Sequence, residues 1–158
     1  MSQTNELEIM ERIALDLERV EESLASSFNT GAEDFNALIR PLSAAGGKRL
    51  RAQLCLLIAN AGTSIERQRI KIAEAVEMLH LATLIHDDVL DQAEIRRGED
   101  TIHMHKGNKV AILSGDYLFA KAFKIVSEMT NMKYLQVFSH IITCLLVGEF
   151  LKMEDVYR

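Results

Sequence analysis

The chain has 158 residues, room for one ordinary domain whose core needs neither a disulfide nor a structural metal. A single proline, Pro41, and 8 glycines stand against 48% hydrophobic residues. So little turn chemistry excludes a β-sandwich or barrel and leaves an all-α architecture of long helices. With 18 Lys and Arg against 23 Asp and Glu the net charge is −5, so no global field grips a nucleic acid and any anion site must be local.

The first ten residues, MSQTNELEIM, are polar and acidic, and no stretch reaches about 18 uninterrupted apolar residues. Neither a signal peptide nor a transmembrane segment is therefore expected, and a cytoplasmic location is the default. Apolar residues at Leu7, Met10, Ile13, Leu17, Val20 and Leu24 predict an amphipathic helix over 6–28. A briefer helix follows and is expected to end near Arg40 and Pro41, because proline disfavours helix in the residue before it. The loop SAAGGKRLR leads into an almost wholly apolar helix over 50–61, closed by Gly62. Residues 65–90 are too long and too free of breakers for a strand and predict a buried helix. The polar stretch 91–109, DQAEIRRGEDTIHMHKGNK, is a loop of a length that is usually functional or disordered. Helices over 110–130 and 133–157 complete the chain, the second apolar nearly all round and therefore buried or at an interface. Cys55 and Cys144 sit in apolar runs without metal-type spacing and read as buried, reduced thiols.

Three carboxylates, Asp87, Asp88 and Asp91, crowd the polar end of the helix over 65–90. At about 100° per residue Asp87 and Asp91 differ by about 40° and share one face, roughly 6 Å apart along the axis. Such a cluster at the mouth of an apolar helix is costly unless neutralised, and for oxygen-only ligands the natural ion is Mg²⁺. On its own the cluster reads better as a solvated helix end than as a metal site. His80, seven residues earlier, falls within about 20° of the same line. Arg96, Arg97 and Gly98 form one cationic triplet; Gly46, Gly47, Lys48, Arg49, Leu50 and Arg51 form another just before a helix start. Glycines admit a phosphate close to the backbone, and arginine offers it a bidentate fork. His86 lies about 100° from Asp87 and reads as supporting or structural, while His103 and His105 lack further ligands at metal spacing.

These residues carry a resemblance. GGKRLR, then EMLHLATLIHDDVLD followed by RRGEDT, then AILSGDYLFAKAF, resemble the N-terminal half of the all-trans polyprenyl (isoprenyl) diphosphate synthases from about Pro41 onward. Two departures are visible: Ala52 stands where a proline is common, and Gly148-Glu149-Phe150-Leu151-Lys152 stands where the family shows GExxQ. The resemblance implies an antiparallel helical bundle, with residues 1–158 the N-terminal part of a single synthase domain, and a homodimer. It implies condensation of isopentenyl diphosphate with an allylic diphosphate to a medium- or long-chain all-trans product. Lys48, Arg51, His80 and Arg97 are then expected to bind isopentenyl diphosphate. Asp87 and Asp91 would hold Mg²⁺ with Asp88 nearby, and Arg96 would contact the allylic diphosphate. In that chemistry metal and arginine stabilise the departing pyrophosphate, an allylic cation forms in a dry apolar cavity, and the isopentenyl double bond attacks it.

In the same family bulky residues at the fourth and fifth positions before the first aspartate stop growth at short products; here these are Thr83 and Ala82. The helical wheel puts Thr83 about 40° from Asp87 but Ala82 about 140° away, so resemblance alone supports Ala82. A second aspartate-rich motif and further lysines are also implied, yet after Glu149 only Glu154 and Asp155 are acidic. The expectation is the first half of a synthase, with negligible turnover by these 158 residues alone. The competing reading is a non-catalytic or regulatory subunit of a heteromeric synthase, which would be marked by loss of the aspartates or of GGKR. A class-I terpene cyclase would share the metal-binding aspartates but has no use for an isopentenyl site.

Overall fold

A computed structural model describes residues 3–44, 47–62 and 65–156. Its helices are α1 (Gln3–Ser27), α2 (Glu33–Ala44), α3 (Leu50–Asn60), α4 (Glu66–Leu90), α5 (Ile102–Lys106), α6 (Asn108–Ser127) and α7 (Met132–Val156). Two short strands, β1 (Ile95–Arg96) and β2 (Glu99–Asp100), interrupt them. The all-α expectation holds.

The buried helix is α4, which packs against α1, α3 and α6. Its apolar side chains Ala73, Ala75, Met78, Leu79, Leu81, Ala82 and Ile85 are buried around most of its circumference, alongside Leu24 and Phe28 of α1, Leu56 of α3 and Leu118 of α6. Each large side chain so buried contributes about 1.5–3 kcal/mol relative to exposure. Two clusters of charged and polar side chains tie α4 to α1. Arg69 grips Asp16 with a two-point fork, Nε to Oδ2 at 2.6 Å and Nη2 to Oδ1 at 3.1 Å. Glu74 accepts bonds from Ser23 and Ser27, both at 2.7 Å, and from Lys71 Nζ at 2.8 Å. Paired in this way the charges lock the register of α1 on α4 instead of destabilising it.

Three expectations are corrected. Helix α2 runs through Pro41 to Ala44. A proline in the last turn removes only the bond to the carbonyl four residues back, here that of exposed Ala37, so the turn survives. The polar stretch 91–109 is neither structureless nor a plain loop. Strands β1 and β2 pair antiparallel, Ile95 opposite Asp100 and Arg96 opposite Glu99, around a two-residue turn with Arg97 at φ 54° and Gly98 at φ 85°. Positive φ at both central residues matches the twist of a tight hairpin, and it is why glycine follows the arginine. Thr101 Oγ1 and His103 Nε2 both reach the carbonyl of Ala93, at 2.8 and 2.9 Å, closing the hairpin onto α5. Finally, Cys144 is exposed, and only Cys55 is half-buried.

The exposure of Cys144 reflects α7 as a whole. Phe138 and Ile142 bury one stripe of it, and Phe138 stacks edge-on against Phe123 of α6. Val137, Ile141, Leu145, Leu146, Phe150 and Leu151 remain exposed. By length and composition alone the window Met132–Glu154 also qualifies as a membrane-crossing helix, with mean hydropathy 1.5. The helix is thus apolar all round, as expected, but it is not buried within the described residues. Residue 157, to which it was expected to run, and Gly46 of the GGKR loop lie outside them.

Candidate active site

The two cationic loops meet over α4. A cleft of about 190 Å³ is lined by Gly47, Lys48, Arg49, Leu50, Arg51, Glu77, His80, Leu81, Leu84 and Arg97. All four residues expected to hold one diphosphate, Lys48, Arg51, His80 and Arg97, therefore line one space, although they come from a helix-entry loop, a helix face and a hairpin turn. Gly47 makes this approach close: a Cβ there would lie 3.2 Å from Arg97 Nη2, and the guanidinium would have to shift by a few tenths of an ångström. His80 is half-buried, and burial followed by the charge of Arg51 pushes its imidazole below the ordinary range. Both causes favour the neutral ring, and an anion bound beside it would favour the protonated one.

Arg49 does something different from its neighbours. At φ 48° it turns its side chain inward, where it is only 6% exposed, between Glu21 and Glu77. Nη2 donates to Glu21 Oε2 at 3.0 Å, and Nη1 lies 3.6 Å from Glu77 Oε2. The other Glu77 oxygen accepts the buried N–H of Ala52 at 2.9 Å, an orphan donor in the first turn of α3. Glu77 thus acts as a cap supplied by another helix, and with Arg49 it fastens the loop so that Lys48 and Arg51 face the cleft. Sequence reading missed both roles. The one available signal was an acidic residue at position 77 in the midst of an apolar helix.

The carboxylates lie at the other corner, at the C-terminal end of α4, where the helix dipole disfavours negative charge. Asp88 is buried and accepts a bond from Arg96 Nε at 2.7 Å, so it anchors that arginine. Asp87 is half-buried; burial, then the charges of Glu149 and Asp91, push its carboxyl above the usual carboxylate range. Asp91 is exposed and ends the helix. Opposite them α7 presents Glu149 and Lys152, whose Nζ lies 3.9 Å from Asp91 Oδ1. Among the described residues no three His, Cys, Asp or Glu side chains converge as a preformed metal cage. Mg²⁺ needs no such cage: one or two carboxylates suffice, with water and phosphate oxygens filling its octahedron, and the oxygen-only pair Asp87 and Asp91 fits that demand.

The remaining residues fall into place around this frame. His86 turns toward α6, with Nε2 3.1 Å from the carbonyl of Ile112, and its ring tilts against Phe119. His105 Nε2 lies 3.8 Å from Asp100 Oδ2. Ala82 is fully buried in the core, and Thr83 is half-buried with its hydroxyl bonded to the carbonyl of His80 at 2.8 Å. A second cavity of about 500 Å³ opens beside the cationic cleft, lined by Leu38, Pro41, Leu81, Leu84, Ile85 and Ile102 with Arg96 and Arg97 at its rim; neither Ala82 nor Thr83 lines it.

This arrangement has solved counterparts. A polyprenyl synthase from Caulobacter crescentus, complexed with calcium and isoprenyl diphosphate, superposes with a TM-score of 0.86 at 34% identity, covering 92% of this chain and 44% of that one. A decaprenyl diphosphate synthase from Rhodobacter capsulatus gives 0.84 at 30% identity, covering 93% and 46%. The fold is thus the helical bundle of the isoprenoid synthases. Sequence comparison narrows this further, because the profile described as polyprenyl synthetase matches residues 32–158, and the chain belongs to that family. The octaprenyl diphosphate synthase of Escherichia coli is 32% identical over 148 residues, covering 94% of this chain and 46% of its own length. Component 2 of the heptaprenyl diphosphate synthase of Geobacillus stearothermophilus is 38% identical over 144 residues, covering 90% and 45%. The chain therefore spans somewhat less than half the length of these relatives.

Proposed function

We propose that this chain supplies the isopentenyl site and the first metal-binding carboxylates of a synthase that condenses isopentenyl diphosphate with an allylic diphosphate such as farnesyl diphosphate. The product is a medium- or long-chain all-trans polyprenyl diphosphate. The observation that carries the reading is the cleft in which Lys48, Arg51, His80 and Arg97 stand together. Three permanent cations and one protonatable imidazole match a diphosphate in charge and in donor geometry. Asp87 and Asp91 would hold Mg²⁺, which supplies neutralisation of a leaving diphosphate. Arg96, braced by Asp88, adds a fixed cation at the same corner. An apolar cavity beside these charges would shelter a cationic allyl group from water.

Residues 1–158 are read as the N-terminal part of one synthase domain, working in the cytoplasm as a homodimer. The exposed apolar face of α7 supports burial against further protein. A purely regulatory subunit is disfavoured because the aspartates and the GGKR loop are both intact. The 158 residues by themselves are expected to show negligible turnover of isopentenyl diphosphate with farnesyl diphosphate and Mg²⁺. The reading is tested by a chimera in which this chain replaces the matching part of the Escherichia coli octaprenyl diphosphate synthase. It predicts that the chimera elongates farnesyl diphosphate and that Asp87→Asn with Asp91→Asn abolishes elongation. A soluble, folded chimera with no elongation would count against it.

A further inference from the structure

The carboxylate corner already contains a cation. Lys152 Nζ lies 3.4 Å from Glu149 Oε2 and 3.9 Å from Asp91 Oδ1, so one ammonium spans the gap between α7 and the end of α4. Lys152 stands where the GExxQ pattern noted above has a neutral glutamine, so it adds a positive charge to that pattern. The charged groups around it are Asp91 and Asp87 from α4 and Glu149 from its own helix; Arg96 of β1 acts on Asp87 from the other side of the corner.

We propose that Lys152 is a tethered counter-cation that competes with a divalent metal for Asp91 and Glu149, so that the corner is balanced when empty and binds metal alone only weakly. The inference rests on the reading of Asp87 and Asp91 as the metal-holding pair. A unit charge held about 6 Å from a divalent ion lowers its affinity by up to about tenfold in a water-like dielectric, and by less where salt screens it. Solvent-exposed lysine–carboxylate pairs are weak and therefore exchangeable. The flexible four-carbon stem lets the ammonium leave Asp91 and turn to the oxygens of an incoming diphosphate, which brings the negative charge that the metal also needs. A glutamine would neither balance the empty carboxylates nor repel the metal.

Mn²⁺ serves as the probe, titrated into the 158-residue chain and followed by the electron paramagnetic resonance of the free ion. Lys152→Gln is expected to bind Mn²⁺ several-fold, up to about tenfold, more tightly than wild type. Lys152→Arg keeps the charge and should match wild type, as should Lys133→Gln at the far end of α7. In chelator, Lys152→Gln should unfold at a lower temperature than wild type and recover more on adding Mn²⁺. Equal affinity in wild type and Lys152→Gln, including no measurable binding by either, overturns the inference. Asp87→Asn and Asp91→Asn separate the two levels. If they leave Mn²⁺ binding unchanged, the metal-pair reading falls and the inference with it. If they weaken binding while Lys152→Gln fails to strengthen it, the inference alone falls.

Discussion

Replacing Glu77 with alanine asks whether the diphosphate cleft is held open by a buried acid that never touches the ligand. The substitution removes the acceptor of the Ala52 N–H at 2.9 Å and a carboxylate that helps neutralise Arg49. A buried donor left unsatisfied costs about 1–3 kcal/mol. Breaking a buried ion pair outright costs about 3–5 kcal/mol, but Glu21 still holds the Arg49 guanidinium, so only a fraction of that applies. The total is about 2–4 kcal/mol, which for a domain of this size lowers Tm by roughly 5–15 °C and leaves most of the population folded. Lys48 and Arg51 flank the loosened Arg49, so affinity for inorganic pyrophosphate should fall about tenfold or more, measured by titration calorimetry beside urea unfolding. Glu74→Ala is the control: equally buried on the same helix, it loses its bonds to Ser23, Ser27 and Lys71, yet it does not line the cleft. It should cost similar stability and leave pyrophosphate affinity within twofold. Unchanged affinity in Glu77→Ala, or an equal loss in Glu74→Ala, refutes the reasoning.

Gly115→Ala places a Cβ 2.2 Å from His86 Nε2 and should destabilise by about 1–3 kcal/mol in denaturant unfolding, with most of the loss recovered in combination with His86→Ala. In the active chimera Thr83→Tyr should shorten the product, read by chromatography of the dephosphorylated alcohols, whereas Ala82→Phe should chiefly overpack the core because Ala82 is fully buried. The Asp87 carboxyl is raised in the folded protein, so its contribution to stability is greatest below the ordinary carboxylate range and is lost as pH rises through the raised value. Asp87→Asn should therefore raise the Tm of metal-free protein at pH 7 by about 1–2 °C, since like charges four residues apart on a helix cost about 0.2–0.5 kcal/mol, and the gain should vanish at low pH.

The long helices were legible because apolar residues recur at helical spacing over 20 residues or more, a signal that tertiary packing reinforces rather than overrides. Strands of two residues have no period to detect, and Arg97-Gly98 is not among the commonest hairpin pairs, so the ribbon that aims Arg97 at the cleft stayed hidden in a polar stretch. In Lys48-Arg49-Leu50-Arg51 three cations look alike in sequence; a left-handed backbone at Arg49 decides that it alone turns inward. Ala82 and Thr83 differ in burial, the first fully buried and the second half-buried, because they lie on different sides of α4. What α7 covers could not be read either way, because an all-round apolar helix is equally a core element and an interface. Lys152 was visible only as a departure from a pattern, and its meaning came from the two carboxylates that the fold sets beside it.

The central claim is that the GGKR loop, His80 and the hairpin turn form one diphosphate site, and titration calorimetry of isopentenyl diphosphate into the purified chain tests it most directly. The account predicts binding that weakens at least tenfold on either Lys48→Ala or Arg97→Ala, each charge-assisted contact being worth about 1.5–3 kcal/mol. It further predicts proton uptake on binding, with affinity falling as pH rises, because the depressed imidazole of His80 must be protonated to donate from both ring nitrogens. Binding that is indifferent to both substitutions and to pH would contradict it.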